Sequence, residues 1–285
     1  MAGSSGTRAG LGAGTAGFGT RMAGFGMRVA GSGVHAAGDR WRRSVAARAV
    51  DVTGTLAGRA LMVLAPHPDD ETFGCGALIA RARAAGSPVT VVVATDGARS
   101  TASTRLSPAG IARLRAAELH AACAALGVTD IVRLGFPDGG LTTHADALAA
   151  RLRTLYQDRR PCHVLLPCAQ DEHPDHRALH HAGVAAGPPR ALAYPVWAWY
   201  AAPLFPAAAH PDRLRLWAWA AARSGWLRVP TGPYLAAKRA AIAAYPSQTT
   251  NLTGEPGWSH LEPRFVSAFL GPHELFRPVH PPLDR

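Results

Sequence analysis

Lysine is almost absent from this 285-residue chain: of its 30 basic residues, Lys238 alone is not an arginine. With the abundance of Ala, Gly and Pro, this bias carries the compositional stamp of a GC-rich genome. Cysteine is scarce as well. Cys75, Cys123, Cys162 and Cys168 form no CxxC pair and no regular framework. That argues against a disulfide scaffold and for reduced, mostly buried thiols in a cytoplasmic protein. No run of about 18 apolar residues free of charge occurs, so no transmembrane helix is expected. Basic residues interleaved with aromatics are also missing. The formal net charge of +11 therefore points to no specific nucleic-acid partner, only to a general attraction to anionic surfaces. Much of that charge is N-terminal, where eight arginines in residues 1–60 face only Asp39 and Asp51.

What is present falls into two parts. Residues 1 to about 45 are low-complexity, dominated by Gly, Ala, Ser and Thr, and ordering them would bury little apolar area. Residues 1–50 are thus expected to be a disordered extension, and 51–285 a single folded domain. The extension has no continuous apolar core and its arginines are scattered, so it does not read as a secretory signal. Arg42-Arg43 lacks the apolar run that a twin-arginine signal needs.

From about residue 55 the pattern becomes regular. Apolar or β-branched runs at 60–66, 88–97, 131–136, 163–168 and 191–197 read as strands. The segments 72–86, 108–126, 143–159 and 174–186 read as helices, the first closed by Gly86 and the second followed by Gly127. Strands alternating with helices predict an α/β fold, a Rossmann-like, mostly parallel sheet with helices on both faces. Further on, 213–220 and 264–270 read as strands, 232–245 as a helix and 273–276 as a short terminal piece.

Two clusters stand out. "APHPDDE" (65–71) follows the first apolar run, and "DEHPDH" (171–176) follows the fourth. Parallel sheets bind ligands beyond the carboxyl ends of their strands, so the topology brings both clusters to one edge. Alone, Asp69, Asp70 and Glu71 would read as a helix cap. Two His/Asp clusters on one edge read better as a metal site built from two loops. His and carboxylate donors suit a borderline cation such as Zn²⁺, with Fe²⁺ or another divalent ion still open. His67 and Asp70 can face one crevice, and His176 can complete the set. Asp69 is then left as a general base, His173 as a donor to a developing oxyanion, and Asp175 as the group that fixes an imidazole tautomer. His180 and His181 read as ordinary helix residues.

"APHPDDE" followed by "HPDH" resembles the LmbE-like, PIG-L-type de-N-acetylases, zinc hydrolases that remove acetyl groups from N-acetylglucosamine-bearing molecules. The resemblance extends over about residues 60–275, through "ATDGARS" (94–100), "RLRAAELHAACAALGV" (113–128), "LGFPDGGL" (134–141) and "KRAAIAAYPSQ" (238–248). It implies His67, Asp70 and His176 as zinc ligands, Asp69 as general base, His173 as stabiliser of the tetrahedral intermediate and Asp175 as its orienting partner. In the mycothiol-pathway branch of the family a Tyr precedes the second-block His by two positions. Here Asp171 stands there, which argues against a mycothiol precursor as substrate.

The expected function is a metal-dependent hydrolase that releases acetate from an amino-sugar conjugate. Arg99, Asp138 and Gln248 are candidate substrate contacts, Arg99 for a polar or anionic group and Asp138 for sugar hydroxyls. Trp197, Trp199, Trp217, Trp219 and Trp226 are expected mainly in the core. An amidase acting on another N-acyl group or a thiol conjugate would use the same site. A nucleotide-binding transferase is disfavoured, because the first strand leads into HPDDE rather than GxGxxG or a P-loop. A non-catalytic binding protein is disfavoured by the full set of ligands and base. The sequence leaves a monomer and a homo-oligomer both open.

Overall fold

The structure is a computed structural model and describes residues 32–201 and 225–279. Residues 1–31, the strand expected at 213–220, Trp217 and Trp219 lie outside the described residues. Ser32–Arg48 (α1) is helical where the composition predicts disorder. The composition estimate misses two anchors in it. Trp41 meets Trp199 with ring centroids 5.3 Å apart, and Val45 is buried against the core.

After β1 (Val50–Asp51) and the short α2 (Thr53–Leu56), the chain alternates as expected: β2 (Leu61–Ala65), α3 (Asp70–Ala84), β3 (Val89–Thr95), α4 (Pro108–Ala125), β4 (Asp130–Phe136), α5 (Ala145–Arg159), β5 (His163–Pro167), α6 (Pro174–Ala185) and β6 (Ala191–Tyr194). The expected strand 191–197 is shorter. Pro195 removes a donor, and Trp197–Ala201 (α7) turns helical. Then come β7 (Leu227–Pro230), α8 (Leu235–Ala243), α9 (Pro246–Thr249), α10 (Pro263–Ala268) and β8 (His273–Val279).

The eight strands are ordered β1-β7-β8-β6-β5-β2-β3-β4. Strands β2 to β6 run parallel, while β8 is antiparallel to both β6 and β7. The central strands are buried on both faces, which is why they read as unbroken apolar runs rather than alternating ones. Val63, Val91, Val93 and Leu165 face one core with Phe73, Ile79 and Leu119. Met62, Leu64, Val92, Val164 and Leu166 face the other, with Leu148, Leu152 and Leu179.

Two expectations in the C-terminal third are corrected. The segment 264–270 contributes to α10, not a strand. Pro263 opens the helix, and Phe265 and Phe269, four residues apart, meet Phe73 edge-to-face at centroid distances of 5.4 and 5.3 Å. The piece expected at 273–276 is a seven-residue strand, and it joins β6 to β7.

Candidate active site

Because β2 to β5 are parallel, the loops after them share one edge, and the crevice lies where β3 and β5 flank β2. The β2 loop carries His67 to Asp70, the β3 loop Arg99, the β4 loop Asp138, and the β5 loop Asp171 to His176. His67, Asp69, Asp70, Asp138, Asp171, Asp175 and His176 are all buried, and each finds a partner for its charge or polar atoms.

Asp70 is the hub. Its Oδ2 lies 3.2 Å from His67 Nδ1 and 3.3 Å from His176 Nε2, and it also accepts the His67 backbone N–H. His176 Nε2 is buried and makes no hydrogen bond. Separations of about 3.3 Å are what ligands show around a tetrahedral cation bound at about 2.0–2.1 Å. An imidazole nitrogen with no hydrogen bond beside a carboxylate oxygen is also what such a cation needs. Among the described residues, the groups whose ligand atoms lie close enough together to hold one cation are His67, His173 and His176, and His67, Asp138 and Asp175. Asp70 belongs to neither, although its Oδ2 lies against one nitrogen of His67 and one of His176.

The opposite ring nitrogen of each histidine meets a carboxylate. His67 Nε2 is 3.3 Å from both Asp138 Oδ1 and Asp175 Oδ2. His176 Nδ1 is 2.8 Å from Asp171 Oδ2. So many carboxylates demand positive charge, supplied by imidazolium protons or by a cation in their place. With protons alone the directions are clear. Burial opposes the imidazolium of His67, but Asp138 carries it well above its ordinary value. Burial likewise opposes His176, and Asp70 pushes it up to about 9. Asp70 falls far below the carboxylate range despite burial, through the His176 and His67 charges.

Asp69 stands differently. It occupies the N-cap position of α3, yet its side chain makes no capping bond, so the helix-cap reading fails for it. Its φ of 125° is a conformation that a non-glycine residue rarely holds. Burial raises its carboxyl to about 8 against the pull of Arg115. Arg115 Nη2 lies 3.1 Å from Asp69 Oδ2 and donates to the Pro68 carbonyl, while Nη1 donates to the Gly97 carbonyl. Glu71, fully buried, accepts the Asp69 N–H and bonds to Thr72 Oγ1 and Tyr245 Oη. The sequence reading assigned neither Arg115 nor Tyr245 a part in the site. The signals available in sequence are the family-like segments that contain them, 113–128 for Arg115 and 238–248 for Tyr245.

His173 caps α6, its Nδ1 accepting the Asp175 N–H at 3.2 Å. A neutral ring in that bond keeps its proton on Nε2. Burial, then the nearby His67 and His176 charges, lower its pKa to about 3, so it stays neutral. The Asp175 carboxylate accepts the Gly139 and Leu141 N–H groups as well as facing His67.

The three candidate substrate contacts separate. Asp138, expected to meet sugar hydroxyls, has Oδ1 against His67 and Oδ2 accepting the Arg99 N–H at 2.9 Å. It is turned inward. Arg99 is exposed at the rim. Gln248 Nε2 donates to Ser247 Oγ at 2.8 Å and reaches Ser100 Oγ at 3.4 Å, which ties α9 to the β3 loop. Trp199 and Trp226 are core residues, as expected.

Fold and site together define an α/β protein with a buried His/Asp centre able to hold a metal at the carboxyl edge of its sheet. The comparisons say which kind. Residues 62–187 match the family described as "PIG-L: GlcNAc-PI de-N-acetylase". A 1D-myo-inositol 2-acetamido-2-deoxy-alpha-D-glucopyranoside deacetylase of Nakamurella multipartita is 32% identical over 242 residues, 68% of this chain and 81% of that protein. The chain belongs to the PIG-L family. Another protein with that name, from Salinispora arenicola, is 35% identical over 163 residues, 48% of this chain. The chain spans about half the length of the first such relatives, 52% in the Salinispora case. Among solved structures, the N,N'-diacetylchitobiose deacetylase of Pyrococcus horikoshii shares the fold, with a TM-score of 0.58 and 20% identity over 78% of this chain and 84% of that one. No helix among the described residues is long and apolar enough to cross a membrane.

Proposed function

We propose that this protein is a zinc-dependent amide hydrolase that removes the acetyl group from an N-acetylglucosamine-type conjugate and releases acetate. The observation that carries the reading is the division of labour between adjacent aspartates. Asp70 lies between two histidine nitrogens, whereas Asp69 is held apart by Arg115 and Glu71. Zinc held by His67, Asp70 and His176 supplies Lewis acidity toward the amide carbonyl and the attacking water. Asp69, in its ionised form, takes a proton from that water as the water oxygen bonds to the carbonyl carbon. The His173 Nε2–H donates to the oxyanion of the tetrahedral intermediate. Asp69 returns the proton to nitrogen as the C–N bond breaks, leaving a free amine and acetate. Arg99 at the rim meets a polar or anionic part of the substrate, and Gln248, tied to the same β3 loop through Ser100, shapes the site beside it. Fe²⁺ would serve the same donors, and an amidase for a larger N-acyl group would use the same steps.

The test couples metal content to acetate release in wild type and Asp69→Ala, over a panel of N-acetylglucosamine conjugates. About one metal per chain in both proteins, with acetate released by the wild type alone, is the expected result. A wild type that takes up no metal when zinc is supplied would sink the mechanism. Metal uptake with cleavage of other acyl amides only would move the assignment to the related amidase.

A further inference from the structure

Asp171 is the position at which the chain departs from the mycothiol-pathway pattern. It does not face the crevice as a substrate contact would. It is fully buried, as is His176. Its Oδ1 accepts from the Ala198 N–H at 2.7 Å and from Cys168 Sγ at 3.3 Å. Its Oδ2 lies 2.8 Å from His176 Nδ1 and 3.2 Å from the Val196 N–H. All these neighbours are donors or can be, and an ionised carboxylate has no proton to give. The bond to His176 is therefore made by a proton on Nδ1. In the neutral ring that leaves the lone pair on Nε2, which is the nitrogen beside Asp70 that makes no hydrogen bond.

We infer that Asp171 is a positioning residue for the metal centre: it locks His176 in the tautomer whose Nε2 can bind a cation, and it ties that ring to the first turn of α7. The inference rests on the proposed metal site and adds a residue to it. The same position that offers a phenol in the mycothiol branch serves here to orient a ligand from behind.

An Asp171→Asn change separates this role from simple support of α7. The Asn oxygen is favoured at the Oδ1 position, where the Ala198 N–H donates at 2.7 Å, Cys168 Sγ donates at 3.3 Å and the Val196 N–H reaches at 3.4 Å, so an NH₂ there would face the most donors. The NH₂ then faces His176 Nδ1, which must accept, and the proton moves to Nε2, where it blocks the metal. Zinc dissociation constants are measured by competition with a chelator for wild type, Asp171→Asn and Cys168→Ala, together with the melting temperature of each zinc-free protein. Asp171→Asn is expected to bind zinc about 10–100-fold more weakly, the usual loss when the partner of a ligating histidine is removed. Cys168→Ala, which removes an Oδ1 donor and leaves His176 alone, should bind as the wild type does. Equal affinity in wild type and Asp171→Asn overturns this inference and leaves the metal site standing; no zinc uptake by the wild type overturns both. Should Asp171→Asn fail to fold, ¹⁵N-histidine spectra of the zinc-loaded wild type decide. A proton on His176 Nδ1 and none on Nε2 supports the inference, and a proton on Nε2 overturns it.

Discussion

Asp69 and Arg115 are 46 positions apart in sequence and 3.1 Å apart in space. That gap sets the limit of residue-scale reading. His67, Asp70, His173 and His176 lie in two short blocks whose spacing already brings donors together, so the sequence exposes them. Arg115 and Tyr245 act through partners placed by the fold and lie in neither block; Asp171 lies in the second block, but its role behind His176 shows only once the fold brings the two together. Arg115 bridges three acceptors: the Asp69 carboxylate and the carbonyls of Pro68 and Gly97. Gly97 is glycine for the same reason, since its φ is +65° and a Cβ there would meet Arg115 Nη1 at 2.7 Å. A guanidinium spreads its donors over separate nitrogens in a fixed planar fork, here Nη1 for Gly97 and Nη2 for Pro68 and Asp69, whereas an ammonium offers its three from a single atom. Arg115→Lys is therefore expected to lower kcat on the order of 10²-fold, the scale of a small misplacement of a catalytic group. Zinc content should stay near wild type, because Arg115 touches no proposed ligand. Steady-state kinetics alongside metal analysis checks this, and an unchanged kcat would remove Arg115 from the site.

At the scale of elements, the apolar runs and glycine stops placed β2 to β6 and α3 to α6 within a few residues. The C-terminal third was harder. Its strands are edge or antiparallel pieces, and α10 hides its helical face in a phenylalanine pair that an apolar count cannot tell from a strand. The paired glycines of "FGCG" are explained only by neighbours from elsewhere. A Cβ at Gly74 would lie 2.2 Å from the Tyr194 ring, and one at Gly76 would lie 3.0 Å from Lys238. Loops are less legible still. Glu255 joins the segment after β3 to the loop before α10 by accepting from Ser103 Oγ, Thr104 N and Oγ1, and Thr253 Oγ1. These bonds lower its pKa from 4.5 to about 2. Because the folded value lies below the unfolded one, the carboxylate adds stability above about pH 4.5 and loses it as pH falls toward 2. The gap in melting temperature between wild type and Glu255→Gln should thus be widest near neutral pH and close as pH drops through that window. Scanning calorimetry across the pH series reads it, and a gap independent of pH would show that the charge plays no part.

For the whole molecule, the alternation of strands and helices made the α/β class legible, but not the strand order, which depends on where the last strands insert. The chain's single lysine shows what that insertion does. Lys238 on α8 is almost completely buried. Its Nζ donates to the Phe73 carbonyl at 2.6 Å and to Glu274 Oε1 on β8 at 2.7 Å. Glu274 in turn accepts from the Ala77 and Leu78 N–H groups. One ion pair thus joins β8 and α8 to the backbone of α3, the helix whose first turn carries Asp70 and Glu71. A buried pair with both charges hydrogen-bonded is tolerated, but one partner alone is not. Lys238→Met strands the Glu274 carboxylate and should cost about 3–5 kcal/mol. Adding Glu274→Gln removes the stranded charge and keeps an acceptor for one of the two α3 amides, so the double variant should be more stable than Lys238→Met alone. Urea unfolding of the wild type and the three variants gives the coupling directly. Costs that simply add would mean that the lysine supports α3 by packing and not by its charge.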